Sequence, residues 1–137
     1  MAPLRQRLEV RAPGAIEPEQ VHATLSGYHF MVLPTHHENF GYVVLEALLA
    51  GCPVLLSDQT PWRDLDQKGA GWVIPLDDPA RFARTIDECI QMDGAEYRSR
   101  SAAAYRYAVD VASNPAALGP LRALLGDRAD RSMLDAR

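Results

Sequence analysis

The chain has 137 residues, 47% of them hydrophobic and 23% charged, enough for one domain with its own core and too apolar for a wholly disordered chain. Fourteen basic against 18 acidic residues leave a formal net charge of −4, so no overall basic excess points to nucleic acid or an anionic membrane. Two cysteines are too few for a disulfide-built scaffold.

The first ten residues carry Arg5, Arg7 and Glu9 and no apolar core, so they do not read as a signal peptide. Leu8, Val10 and Ala12 alternate with Glu9 and Arg11, which predicts a short strand stopped by Pro13-Gly14. Pro18-Glu19-Gln20 opens a helix that places Val21, Leu25 and Tyr28 on one side and ends at Gly27. Residues 30–33 form an unbroken apolar run before Pro34, the pattern of a parallel strand buried on both faces. A polar turn, residues 35–41, leads into a helix over 42–50 that stops at Gly51. The apolar stretch 42–56 carries Glu46 and is broken by Gly51 and Pro53, too short for a spanning helix.

A second buried strand is predicted over 53–57, a loop after it, and a short helix over 62–66 started by Pro61. After the turn 69–71 comes a third strand, 72–76, which Pro75 places near an edge. Asp77-Asp78-Pro79 caps a helix over 79–92 with Phe82, Ala83, Ile86 and Ile90 at helical spacing. A helix over 96–112 follows, with Arg98, Arg100 and Arg106 on a solvated face; residues 115–125 read as a last helix and 127–137 as a frayed tail. Trp62 and Trp72 suit core packing, with stacking on a sugar or base as the alternative. Cys52 and Cys89 read as reduced, mostly buried thiols of a cytoplasmic protein.

Alternating strands and helices predict an α/β fold with a partial Rossmann-like parallel sheet of about four strands flanked by helices. Residues 1–112 form the domain and 113–137 a C-terminal helix and tail.

Chemistry concentrates in residues 33–42, which join the C-terminal end of a strand to the start of a helix, where parallel sheets bind ligands. Gly41 permits close backbone approach, and the free N–H groups behind it favour an anion; Asn39 and Gly41 equally suit a plain strand-to-helix turn. Glu46 is the one carboxylate of residues 42–56. Its neighbours are aliphatic and no basic residue stands four positions away, so burial without a partner would cost several kcal/mol. A ribose, offering two hydroxyls, would satisfy both oxygens; solvent at the helix edge or a backbone bond would also serve. Glu38 lies eight residues earlier and flanks the same helix start.

The string Pro34-Thr35-x-x-Glu38-Asn39-Phe40-Gly41, then Glu46-Ala47, then Ala50-Gly51-Cys52-Pro53-Val54, resembles the C-terminal domain of retaining GT-B glycosyltransferases of the group 1 or family 4 type. It is their Glu-x7-Glu motif in its usual surroundings, and Ser57 to Leu65 with Lys68-Gly69-x-Gly71-Trp72 looks like one bacterial branch. The likeness covers about residues 10–90. It implies hexosyl transfer with retention from a nucleotide-diphosphate sugar, with no metal and no separate cofactor. Glu38 would face the donor hexose and stabilise positive charge at its anomeric carbon. Asn39, Phe40, Gly41, Tyr42 and His37 would line the donor site, and Glu46 would hold the ribose. No acceptor domain and no Arg/Lys pair for the diphosphate have a match in the chain. A truncated transferase is therefore expected, with a partner chain or self-association at the open edge of the 30–33 strand. The alternative is a non-catalytic nucleotide-sugar-binding domain. A metal hydrolase built on His22, His29, His36, His37 and Glu38 lacks the His-Glu-x-x-His spacing.

Overall fold

A computed structural model describes residues 9–36 and 42–114. A 3-10 turn, Pro18–Gln20, leads into α1 (Val21–Ser26), followed by β1 (Met31–Leu33), α2 (Tyr42–Leu49) and β2 (Val54–Ser57). Then come α3 (Leu65–Lys68), β3 (Gly71–Ile74), α4 (Pro79–Gln91) and α5 (Gly94–Ser113). The three strands pair in parallel in the order β1-β2-β3, with Met31 beside Val54 and Val54 beside Gly71. This is the α/β architecture expected, with three strands among the described residues.

Strand alternation divides the core into two layers. Met31, Leu33, Val54, Leu56 and Val73 pack with Val44, Ala47 and Leu48 of α2, Leu65 of α3 and Ala104, Tyr107 and Ala108 of α5. Leu55, Trp72 and Ile74 face the other way, against Phe82, Ile86 and Cys89 of α4. All four residues of β2 are fully buried, as a central parallel strand should be.

Two glycines fix the joints. Gly51, at φ 72°, takes the left-handed turn that ends α2, and its carbonyl accepts from Ser101 Oγ at 2.6 Å. Gly71 opens β3 where a Cβ would lie 2.2 Å from the carbonyl oxygen of Val54. Only a residue without that atom lets β2 and β3 pair here.

Several expectations are corrected. Residues 9–12 form no strand, and Val10 is 88% exposed; Leu8 lies outside the described residues. Alternation supplies no ladder partner, and Glu9 and Arg11 there pair with each other at 2.7 Å. Tyr28 is exposed because α1 ends at Ser26 and Gly27 redirects the chain. The 30–33 run is not buried on both faces: Val32 is 42% exposed, and among the described residues no strand pairs with β1 on its far side. The short helix runs over Leu65–Lys68, three residues later than expected, and Trp62 N–H ahead of it donates to Thr60 Oγ1 at 3.2 Å. On α4 the buried stripe runs Phe82, Thr85, Cys89, leaving Ala83 and Ile90 outside. Arg100 is not merely solvated; its guanidinium carbon lies 4.6 Å from the ring centre of Trp72.

Trp62 takes the packing role, buried edge-on against Tyr107 with ring centres 6.0 Å apart. Both cysteines are free and buried. The helix expected over 115–125 and the tail over 127–137 lie outside the described residues.

Candidate functional site

The C-terminal ends of the three strands form a crest. Thr35 closes a tight turn after Pro34, its N–H donating to Leu33 O at 3.0 Å. Ser57 Oγ donates to the carbonyl of Thr35 at 2.5 Å. Asp58 N–H donates to Ile74 O at 3.0 Å. The Asp58 carboxylate accepts Leu76 N–H at 3.2 Å and Gln59 Nε2 at 2.8 Å. The Gln59 bond, then the Leu76 one, hold this carboxyl below the usual aspartate range. His36, Asp58, Gln59, Leu76 and Asp77 line a hollow of about 350 Å3 there.

Of the residues expected to bind donor, His37, Glu38, Asn39, Phe40 and Gly41 lie outside the described residues. Tyr42 is the first residue of α2 and half-buried; burial raises its hydroxyl pKa. Glu46 lies one turn further on, also half-buried. Burial raises its pKa, and the charge of His22 on α1 works against that shift. Sequence spacing found no basic group near Glu46 along its own helix, but α1 supplies one from another element. Glu46 is not among the residues lining the crest hollow.

An apolar hollow of about 400 Å3 opens on the α4 side of the sheet, bounded by Phe30, Val32, Leu55, Ile86, Cys89 and Tyr97 among others. Its lining is mainly hydrophobic, with His29 and Asp93 as its charged or titratable members beside Cys89 and Tyr97, and it offers one carboxylate among the described residues where a sugar clamp would use two. Among the described residues, no group of three or more His, Cys, Asp or Glu is placed to hold a metal ion. Nor is any helix there long and apolar enough to cross a membrane.

Ser57 and Asp58 are the polar crest residues that spacing did not single out. Ser57 ends an apolar run and Asp58 starts a loop, so each reads as an ordinary boundary residue. Their bonds to Thr35 and Leu76 span 22 and 18 positions, which no local pattern displays.

The D-inositol 3-phosphate glycosyltransferase of Frankia alni is 38% identical over 74 residues, covering 53% of this chain and 18% of that relative. No solved structure matches. The family model for glycosyl transferases group 1 matches residues 4–107, three-quarters of the sequence and every element from α1 through the middle of α5. On that match, the chain belongs to the group 1 glycosyl transferases.

Proposed function

We propose that this chain holds a nucleotide-diphosphate sugar for hexosyl transfer with retention of configuration. The family match over residues 4–107 carries the reading. The place of Glu46, on the helix that follows the crest of β1, supports it. Glu46 takes the ribose hydroxyls. His37, Asn39, Phe40 and Gly41 line sugar and diphosphate together with Tyr42. Glu38 stabilises the positive charge that grows on the anomeric carbon as the diphosphate leaves.

A half-buried carboxylate suits that task for Glu46. Charge-assisted bonds to two adjacent hydroxyls replace the water it has lost. The aligned stretch spans only 18% of the Frankia relative, which favours donor binding as the share of the reaction these residues perform. Acceptor recognition then falls to another domain or partner chain. Self-association through the edge of β1, which has no strand beyond it among the described residues, belongs to the same reading.

Titration calorimetry with UDP, GDP and ADP on the wild type and Glu46→Ala tests it. One nucleotide is expected to bind, with at least about tenfold weaker binding by the variant, roughly what loss of a charged hydrogen-bond pair removes. Equal binding by Glu46→Ala removes this residue from the site, and no binding by the wild type removes the donor reading.

A further inference from the structure

The hollow on the α4 side of the sheet takes its walls from several elements. Leu55 of β2, with no exposed surface, forms the floor beside Val32 of β1, its register partner. Ile86 and Cys89 come from α4 and Tyr97 from α5. Three of the lining rings pack edge-on: Tyr97 meets His29 with centres 4.9 Å apart and Phe30 with centres 5.5 Å apart. Edge-on packing of this kind extends readily to one more ring. The Tyr97 hydroxyl already bonds the Ser101 side chain. Burial pushes the Cys89 thiol up to about 11, which leaves it a neutral wall group near neutral pH.

The charges near the mouth are already engaged. Asp93 Oδ1 accepts Glu96 N–H at 2.8 Å and so caps α5, where a carboxylate offsets the positive helix end. Arg100 Nε lies 3.5 Å from Glu96, and its guanidinium covers Trp72. An ion entering the hollow would give up its water for walls that are mainly apolar, at a high cost. The volume, about 400 Å3, falls within the range of small-molecule sites, roughly 300–1,000 Å3. A partner helix, about 10–12 Å across with its side chains, is too broad to enter and would offer it a side chain at most.

We propose that this hollow is a binding site for a small uncharged aromatic molecule of one or two fused rings. The molecule lies over Leu55 against the rings of Phe30 and Tyr97, with Val32 and Ile90, 42% and 60% exposed, at the mouth. Apolar burial holds it, and ring contacts set its orientation. The helix that carries Glu46, α2, packs on the other side of the sheet, so the site stands or falls independently of the donor reading.

Indole, indole-3-acetate and tryptamine share one aromatic body and carry no charge, a negative charge and a positive charge. Each is titrated into the wild type while NMR follows the methyl groups of Ile86, with Leu48 in the other layer as control. Alkylation of Cys89 by iodoacetamide is timed in parallel by peptide mass spectrometry. Indole is expected to shift Ile86 saturably, to leave Leu48 unmoved and to slow the alkylation of Cys89. It is expected to bind at least about tenfold more tightly than either ion. Ile90→Trp, which roofs the hollow from an exposed position, and Ile86→Phe, which fills it from within, are each expected to weaken indole at least about tenfold. Absence of a saturable shift at Ile86 overturns the proposal, as does binding of either ion as tight as that of indole, or unchanged binding by Ile90→Trp. Protection of Cys89 that rises with protein concentration and ignores added indole assigns the hollow to a second copy of the chain, and that overturns it too. Should Ile86→Phe fail to fold, Ile90→Trp, shown folded by circular dichroism, decides alone.

Discussion

At the scale of single residues, Glu46 sets a conflict between stability and binding. Burial lifts its pKa above the ordinary glutamate value of 4.5, against a smaller opposing pull from His22. The folded chain therefore holds the proton more tightly than the unfolded chain. Stability is lost as pH rises from about 4.5 through the folded pKa, and the loss is complete above it. Glu46→Gln should recover that stability at pH 7, with a gain that shrinks toward zero at pH 4. Solvent reaches this side chain, so the gain stays below about 1 kcal/mol. Urea unfolding at the two pH values checks the sign, and a variant less stable than wild type at pH 7 would contradict it. The isolation of Glu46 among aliphatic residues was legible from spacing alone. The nearness of His22 was not, because α1 reaches it through the fold and not along the chain.

At the scale of elements, the alternation of strands and helices was legible wherever an apolar run met a proline or glycine stop. That covers β1, β2, β3 and α4, whose span ends one residue before the expected one. The expected strand at residues 8–12 failed because period-two patterning says nothing about a pairing partner. The buried stripe of α4 shifted because the sheet face it meets, Leu55 and Ile74, selects Thr85 and Cys89 over Ala83 and Ile90. Most decisive for β3 is Gly71, read from sequence as part of a turn and of the family resemblance, not as a strand residue. Gly71→Ala drives a methyl into the Val54 carbonyl, so β2 and β3 must separate locally. A loss of about 3 kcal/mol or more is expected from such overpacking against backbone. Thermal and urea melts read it, and a loss under about 1 kcal/mol would show that the pair accommodates a side chain.

At the scale of the whole molecule, one long helix ties the pieces together. Along α5, Ser101 bonds the end of α2 at Gly51, and Tyr107 donates its hydroxyl to Asp64 ahead of α3. Arg100 meanwhile covers Trp72 on β3. On the opposite flank, β1 has no strand beyond it among the described residues, and Val32 and Ile90 are 42% and 60% exposed. An uncovered apolar edge favours association. The isolated chain is expected to show a mass that rises with concentration in light scattering coupled to size exclusion. A constant monomer mass across a hundredfold dilution would count against it.

The two indoles stand in different layers. Trp62 is packed among the helices on one side of the sheet, while Trp72 lies under a guanidinium toward the other. The molecule thus carries a native fluorophore on each side of its sheet. With one replaced by phenylalanine at a time, the emission of the other follows the loosening of its own layer, so the order in which the two halves of the interior give way can be watched without attaching a label.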